Sequence, residues 1–157
     1  MTITNAMRLL KQAGIPFDTS EYEVDESDLS GVHAAQMLGV EPDRVFKTLV
    51  VRGERTGIGV FCIPVAEELD LKKCAAAMCD KKAEMIHVKE LLGLTGYVRG
   101  GCSPIGMKKK YPTWIDEIAT LFDSIYVSAG MRGQQLILDP EDLRRYTDAK
   151  FVDLTKR

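Results

Sequence analysis

Val45-Phe46-Lys47-Thr48-Leu49-Val50-Val51-Arg52 decides the fold together with the apolar segment Gly57–Val65 that follows it. Both segments are rich in β-branched and aromatic residues, which favour strands. Gly53-Glu54-Arg55-Thr56 lies between them, and its length and composition are typical of a hairpin turn. The sequence therefore predicts two antiparallel strands at the centre of a sheet.

Lys47 is unusual because it stands in the middle of the first predicted strand. Side chains alternate across a strand, so Lys47 shares a face with the apolar residues Leu49 and Val51. Two explanations are open. Either Lys47 lines a pocket or its rim, or its aliphatic stem is buried while the ammonium group reaches water at the end of the strand.

The segments on either side of this hairpin predict both helices and strands. Helices are expected at Asn5–Ala13, from the N-cap Ser30 to Gly39, from Asp70 to Cys79, at Val88–Leu92 with Gly93 as the stop, and from Asp139-Pro140 to Tyr146. Further strands are expected at Phe17–Val24, Ala83–Ile86, Thr113–Asp116, Ser124–Ser128 and Gln134–Leu138. Mixed strands and helices with several hairpins indicate the α+β class.

A second informative stretch is the loop Gly100-Gly101-Cys102-Ser103-Pro104-Ile105-Gly106, which precedes the lysine run Lys108–Lys110. Glycine lets a ligand approach the main chain, Ser103 offers a hydroxyl group, and Pro104 stiffens the turn. Backbone amides beside lysines are suited to an anion. A tight surface turn is the alternative, because these residue types mark turns more often than sites. The strand lysine and the loop together favour a site.

Length and composition predict one domain spanning residues 1–157, close to the usual size of a single domain. Hydrophobic residues make up 45% and charged residues 28%, so broad disorder is not expected. The apolar runs are far shorter than the roughly 20 residues of a membrane helix. Met1–Lys11 has neither an apolar signal core nor a cleavage site. We therefore expect a cytoplasmic protein without membrane association.

The net charge of −2 argues against a protein that coats nucleic acid without sequence preference. Basic residues nevertheless cluster at Lys72-Lys73, Lys81-Lys82, Lys108–Lys110 and Arg144-Arg145. Each doublet is explained by a solvated helix face. The Lys108–Lys110 run beside the glycine loop is instead a candidate for contact with RNA phosphates.

The four cysteines and two histidines form no pattern of metal ligands. Cys62, Cys74, Cys79 and Cys102 include no Cys-x-x-Cys pair, so neither a metal nor another cofactor is expected. Cys102 alone lies in the glycine loop, where a nucleophilic thiol has to be considered. Neither histidine is near it in sequence to act as a base, which argues against that role.

Four motifs in this order carry a resemblance to a known family. They are Phe46-Lys47-Thr48, Thr95-Gly96-Tyr97, Gly100–Gly106 and Tyr126-Val127-Ser128-Ala129-Gly130-Met131-Arg132-Gly133. The chain resembles the YbaK/EbsC family of aminoacyl-tRNA deacylases over nearly its whole length. It is more similar to the free-standing members that act on Cys-tRNA(Pro) than to the editing domain inserted in prolyl-tRNA synthetase. The resemblance implies a mixed β-sheet closed into a distorted barrel, surrounded by helices, with a pocket for the 3′ end of a mischarged tRNA.

The resemblance also implies which residues form the site. Lys47 matches the family's key lysine and is the expected catalytic residue. The residues expected to bind the substrate are Tyr22, Ser30, Thr48, Gly100, Gly101, Ser103, Pro104, Ser128, Arg132 and Asp139. Where related proteins carry a pocket aromatic after the tyrosine, this chain has Leu29-Ser30-Gly31 and is one residue shorter. This departure leaves the amino-acid preference open.

The implied function is editing in trans. Cysteine is nearly the size of proline, and a synthetase pocket cannot strongly reject a close isostere, so a second hydrolytic site removes the error. The ester is already activated. Amides of the Gly100–Gly106 loop and the charge of Lys47 would stabilise the developing oxyanion, while in the family the thiol of the substrate itself attacks the ester.

The resemblance makes the mischarged tRNA the substrate and prolyl-tRNA synthetase the expected partner. Two other functions stay open. One is a deacylase for another mischarged tRNA, such as Ala-tRNA(Pro), whose amino acid has no thiol. The other is a module that binds the tRNA end without hydrolysing the ester; retention of Lys47 and the glycine loop argues against it.

Overall fold

The computed structural model describes residues 2–157, in which helices and strands are mixed along the chain. The α+β class is therefore confirmed. The strands in this range are β1 (Asp18–Glu21), β2 (Phe46–Gly53), β3 (Gly57–Pro64), β4 (Ala83–Met85), β5 (Thr113–Asp116), β6 (Ile125–Ser128), β7 (Gln134–Leu138) and β8 (Lys150–Val152). The α-helices are α1 (Asn5–Gln12), α2 (Gly31–Leu38), α3 (Leu71–Ala77), α4 (Val88–Thr95) and α5 (Pro140–Thr147), and 3-10 helices cover Pro42–Arg44 and Glu117–Leu121.

The predicted hairpin of β2 and β3 lies at the centre of a five-stranded sheet. The strand order is β4-β2-β3-β5-β8. β2 runs antiparallel to β3 and β4, whereas β5 runs parallel to β3 and β8. In the hairpin register Lys47 is opposite Ile63, and Thr48 is opposite Cys62. The sequence does not predict β8, because three residues are too few to show an alternation.

The predicted closed barrel is wrong. β1, β7 and β6 form a separate three-stranded sheet in that order, joined to the larger sheet by a parallel bridge between Val45 and Tyr126. A barrel requires every strand to pair on both sides. In the described range the larger sheet instead ends at β4 and β8, which are three residues long and too short to continue pairing around a barrel. The result is two open sheets.

Helix α4 runs past the predicted stop at Gly93. Gly93 lies inside the helix, and Gly96 ends it with a φ of 86°, donating its N–H to the carbonyl oxygen of Leu92. A glycine inside a helix costs about 1 kcal/mol, which packing can offset, whereas the left-handed cap strongly favours glycine. Across residues 2–157 no helix has the length and apolar character needed to span a bilayer.

Apolar side chains pack on both faces of the larger sheet. On one face Phe46 and Cys62 join buried residues of α1, α5 and the smaller sheet. On the other face Val51 and Ile63 join buried residues of α3. Burying each large apolar side chain contributes about 1.5–3 kcal/mol, so the hairpin is anchored from both sides. Lys47 is therefore held on a rigid strand.

Candidate active site

A cavity of about 410 Å³, called here the Lys47 cavity, lies between β2, the starts of α2 and α4, and the glycine loop Gly100–Gly106. Its volume is in the range of small-molecule sites, roughly 300–1,000 Å³. Apolar side chains such as Ala34, Val65 and Leu91 form much of its wall. Six of the residues expected at the site also lie on the wall: Tyr22, Ser30, Lys47, Thr48, Gly100 and Ser128.

Arg99 and Lys47 both line this cavity, and Lys47 extends from the rigid strand β2. Its side chain is half-buried, and within residues 2–157 it makes no hydrogen bond or ion pair. Burial lowers the pKa of the Lys47 ammonium, and the charges of Glu68 and Glu67 oppose that shift. Lys47 is thus free to bind a group that enters the cavity. Of the two explanations for a lysine on this strand, the structure supports the first, because Lys47 lines a pocket.

Hydroxyl groups lie on the same wall. Burial raises the pKa of the Tyr22 phenol, so this hydroxyl is protonated at neutral pH and is able to donate. Ser128 accepts a hydrogen bond from the Gly130 N–H at 3.1 Å through Oγ, which leaves its own hydrogen to donate. Thr48 Oγ1 lies 3.8 Å from the Cys62 sulfur. The cavity therefore combines basic residues with several neutral donors.

Two backbone amides of the glycine loop add further donors. In the part of the chain that the structure describes, the N–H groups of Gly100 and Cys102 have no acceptor, and both residues line the Lys47 cavity. The Gly101 N–H, by contrast, donates to the carbonyl oxygen of Val98 at 3.0 Å. The loop is held in place by Tyr97, whose hydroxyl donates to the carbonyl oxygen of Ile105. The amides of this loop that are free to meet a bound group therefore include those of Gly100 and Cys102 but not that of Gly101.

Gly101 and Arg132 hold two loops together and do not line the cavity. A Cβ atom added at Gly101 would lie 3.2 Å from the backbone nitrogen of Arg132 and 3.3 Å from the carbonyl carbon of Met131. The two backbones are thus in close contact. Arg132 donates from Nε to the carbonyl oxygen of Arg99 at 2.8 Å, and its Nη1 lies 3.9 Å from Glu26.

Three other expected residues lie away from the Lys47 cavity. Ser103 is fully buried, and its Oγ accepts a hydrogen bond from the Ile105 N–H at 3.3 Å. Pro104 lines a second cavity, described below. Asp139 is exposed and caps α5 by accepting a hydrogen bond from the Glu141 N–H at 2.8 Å. The structure does not bring these three side chains to Lys47.

Most of the chain that forms the Lys47 cavity matches a known protein family. Residues 29–146 match the family model of the aminoacyl-tRNA editing domain. The chain belongs to this editing-domain family. The resemblance inferred from the four sequence motifs is therefore confirmed.

Relatives of this editing domain extend over nearly the whole chain. EbsC of Enterococcus faecalis, to which a Cys-tRNA(Pro)/Cys-tRNA(Cys) deacylase activity is ascribed, is 48% identical over 154 residues, 98% of this chain and 94% of the relative. A solved structure described as a candidate trans-editing enzyme for prolyl-tRNA synthetase is 26% identical with a TM-score of 0.83 and covers 97% of both chains. The hypothetical protein APE2540 shares the fold, with a TM-score of 0.86 at 22% identity over 95% of this chain and 97% of its own.

Gln135 is a polar residue of the Lys47 cavity that is not among the residues expected from the sequence. It directly precedes the apolar residues of β7 and lies opposite Ser128 of β6 and Ser20 of β1. It also lines the Lys47 cavity. Its side-chain Oε1 is buried and has no hydrogen-bond partner among residues 2–157. An unpaired buried amide is costly unless a ligand completes its hydrogen bonds. The sequence signal was a pair of glutamines at the start of an apolar strand.

Cys102 lines the Lys47 cavity but lacks the properties of a nucleophile. It is buried, and burial raises the pKa of its thiol to about 12. A thiol with that pKa is protonated at neutral pH, whereas thiol nucleophiles act as thiolates. The described residues also contain no group of three or more His, Cys, Asp or Glu side chains that could hold a metal ion.

Leu29, Ser30 and Gly31, the segment that lacks the expected aromatic residue, line the Lys47 cavity. Leu29 also approaches the glycine loop, because a Cβ atom added at Gly100 would lie 3.6 Å from Leu29 Cβ. Gly31 packs closely on Val65, the residue that follows β3, since an added Cβ would lie 2.4 Å from a methyl group of Val65. The side chain of Leu29 and the close contact between Gly31 and Val65 thus form this wall of the Lys47 cavity.

Proposed function

We propose that this editing-domain protein cleaves the ester of mischarged aminoacyl-tRNA in trans, with Cys-tRNA(Pro) as its substrate. The observation that carries the proposal is the half-buried Lys47, which has no ionic partner within residues 2–157 and shares a cavity wall with Tyr22 and Ser128. The activity ascribed to EbsC, at 48% identity, supports the cysteinyl substrate.

The cavity supplies what ester cleavage requires. Negative charge develops on the carbonyl oxygen in the transition state, and preorganised donors stabilise it in a site that excludes water. Lys47 and the amides of Gly100 and Cys102 are among the donors on this wall that no other described residue occupies. In this proposal the hydroxyls of Tyr22 and Ser128, which line the same cavity, bind the ribose and the amino acid. Positioning of the substrate accounts for the rest of the catalysis.

The family's thiol-assisted route fits this donor set, because it needs no nucleophile from the protein. The sulfur of the bound cysteine attacks its own carboxyl carbon, so that a carbon–sulfur bond forms and the carbon–oxygen ester bond breaks. The proton of the thiol is transferred to the departing ribose oxygen. Water then opens the cyclic thioester to free cysteine. The high pKa of Cys102 agrees with a route in which the substrate provides the thiol.

Hydrolysis of defined substrates tests the proposal. Purified protein is incubated with Cys-tRNA(Pro), Ala-tRNA(Pro) and correctly charged Pro-tRNA(Pro), and loss of each ester is followed beside the Lys47→Ala variant. Selective loss of the cysteinyl ester in the wild type, absent in the variant, is the expected result. Equal hydrolysis of all three esters, or cleavage by the variant at the wild-type rate, would contradict it.

A deacylase for Ala-tRNA(Pro) is the second candidate, because the wall at Leu29 leaves the amino-acid preference open. An aliphatic residue in place of an aromatic one changes how the side chain of the amino acid is enclosed. Alanine has no thiol, so preference for the alanyl ester would keep the deacylase activity and exclude the thiol-assisted route. No hydrolysis of any ester, even with prolyl-tRNA synthetase present, would favour a module that only binds the tRNA end.

Prolyl-tRNA synthetase is part of this proposal as the partner that delivers the mischarged tRNA. Support comes from the solved structure described as a candidate trans-editing enzyme for that synthetase. The cytoplasmic location stays part of the same proposal, because tRNA is charged there. Addition of the synthetase should increase the rate of deacylation of Cys-tRNA(Pro).

A further inference from the structure

A second cavity of about 420 Å³, called here the Tyr146 cavity, lies on the other part of the glycine loop. Pro104 and Gly106 line it, whereas Gly100 and Cys102 line the Lys47 cavity. One loop therefore contributes a wall to both cavities. The Tyr146 cavity is also lined by Lys109, Lys110, Tyr111, Thr113, Tyr146 and Thr147.

The lysine run singled out from the sequence ends at this cavity. The stem of Lys108 lies over the C-terminal end of α4, where an added Cβ at Gly96 would be 3.4 Å from Lys108 Cγ, and a cation there is stabilised by the helix dipole. Lys110 pairs with Asp148. Lys109 makes no hydrogen bond or ion pair within residues 2–157. Two of the three lysines thus have a structural partner, and Lys109 remains on the cavity wall without one.

The Tyr146 cavity combines aromatic surface, a cation and hydrogen-bond acceptors. Tyr111 is fixed by its hydroxyl, which donates to the carbonyl oxygen of Leu94 at 2.8 Å. The buried Thr113 donates to the carbonyl oxygen of Tyr111 at 3.0 Å, and the buried Thr147 donates to that of Leu143 at 2.8 Å. Because both threonine hydrogens are already used, their oxygens are left to accept hydrogen bonds.

We propose that the Tyr146 cavity binds a nucleotide whose base carries an exocyclic amine, cytosine or adenine. The base packs against Tyr111 and Tyr146, the amine donates to a threonine oxygen, and Lys109 contacts the phosphate. Aromatic surface for a base beside a lysine for the backbone is the usual arrangement for single-stranded nucleic acid, and each stacked base contributes about 1–3 kcal/mol. Uracil, which has carbonyl oxygens in place of an amine, fits these acceptors less well.

The nucleotide has two sources with the same chemistry, an RNA strand or a free mononucleotide. We assign the nucleotide to the RNA strand whose terminal ester enters the Lys47 cavity. This assignment rests on the proposed function. The shared glycine loop supports this source, since a nucleotide bound against Pro104 and Gly106 would hold the loop that presents the Gly100 and Cys102 amides. Binding of the nucleotide itself does not depend on deacylase activity.

Titration calorimetry with cytidine monophosphate, uridine monophosphate and inorganic phosphate tests the site in the wild type and in Lys109→Ala, Lys47→Ala and Lys81→Ala. Lys109 has no core contact to lose, and Lys81 is an exposed lysine of a different doublet that serves as the matched control. We expect the cytidine nucleotide to bind more tightly than the uridine nucleotide. Its Kd should rise about tenfold in Lys109→Ala and stay unchanged in the other two variants.

Three outcomes would overturn the proposal. They are equal affinity for the two nucleotides, binding of phosphate as tight as that of the cytidine nucleotide, and loss of nucleotide binding in Lys47→Ala but not in Lys109→Ala. Tyr146→Ala is a second variant, with its melting temperature measured because Tyr146 also packs on the core; retained affinity in a folded Tyr146→Ala protein would likewise overturn it.

The deacylation assay separates the two sources of the nucleotide. A higher KM for mischarged tRNA in Lys109→Ala, with kcat unchanged, supports the RNA strand. Unchanged KM together with lost binding of the cytidine nucleotide supports a free mononucleotide. A wild-type protein without deacylase activity that still binds the cytidine nucleotide through Lys109 would contradict the proposed function and leave the nucleotide site supported.

Discussion

Arg132 and Arg99 are joined by a hydrogen bond of 2.8 Å from the Arg132 Nε to the Arg99 carbonyl oxygen. This bond ties the loop after β6 to the start of the glycine loop, and Gly101 continues the contact through its close approach to Met131 and Arg132. Ser128 ends β6 before the first loop and Gly100 follows Arg99 in the second, and both line the Lys47 cavity, so the bond connects two parts of the cavity wall.

Arg132→Ala should weaken substrate binding by loosening this contact. A charged donor to a carbonyl contributes about 1.5–3 kcal/mol when buried, and the partial exposure of Arg132 reduces this to about 1 kcal/mol of unfolding free energy. We expect a higher KM with a smaller change in kcat, because no reacting group is removed. Steady-state kinetics and urea unfolding measure the two effects, with Arg55→Ala in the exposed hairpin turn as control. An unchanged KM would show that the loops keep their positions without this bond.

Gly101→Ala should disrupt the same contact by steric crowding. The added Cβ would meet backbone atoms at 3.2 and 3.3 Å, which cannot turn aside as a flexible side chain can, so the two loops must separate. We expect deacylation to fall at least tenfold. Gly93→Ala is the matched control, because nothing lies within 4 Å of its added Cβ and alanine in a helix is favoured by about 1 kcal/mol. Full activity in Gly101→Ala would show that the loop contact is dispensable.

Lys47→Ala should abolish deacylation without unfolding the protein. Removal of one preorganised donor to an oxyanion costs about 10²–10³ in kcat, and a half-buried lysine without an ionic partner in the described range contributes little to stability. Single-turnover kinetics measure the loss, and circular dichroism with thermal melting checks the fold. Near-normal turnover by a folded variant would remove Lys47 from the mechanism. Lys81→Ala serves as the control for loss of a lysine charge.

The hairpin, the α+β class and the position of Lys47 on a pocket wall could be predicted from the sequence, because they follow from alternation within one strand and from contiguous motifs. The sequence could not show that the predicted barrel stays open, since closure depends on how far the short edge strands β4 and β8 continue to pair. Asp139 illustrates a local ambiguity, because the same aspartate suits a ligand contact and the cap of α5. The position of Gln135 on the cavity wall could not be predicted, because it depends on how β7 pairs with β6.

Cys102→Ser should retain deacylase activity within about threefold, since burial holds the pKa of the Cys102 thiol at about 12 and the enzyme thiol is not the nucleophile. The same property predicts the order of alkylation. At pH 7.5 a thiol reagent should modify the exposed Cys79 before Cys102, as read by peptide mass spectrometry. An inactive but folded Cys102→Ser protein, or preferential labelling of Cys102, would restore covalent catalysis as an explanation.

Gln135→Leu should lower activity while leaving stability equal or higher. The Gln135 amide oxygen is buried without a hydrogen-bond partner among residues 2–157, so its replacement by an apolar group of similar size removes a desolvation cost. A bound substrate would lose the amide as a hydrogen-bond partner, and KM should rise. Gln134→Leu is the control, because the Gln134 oxygen is also buried and unpaired but Gln134 does not line the Lys47 cavity.

The pair of variants separates packing from substrate binding. Both should melt at or above the wild-type temperature, because each removes an unsatisfied polar atom, but only Gln135→Leu should raise KM for mischarged tRNA. Equal kinetics in the two variants would mean that the Gln135 amide does not meet the substrate. A large loss of stability in Gln135→Leu alone would instead show that this amide supports the pairing of β7 with β6 and β1.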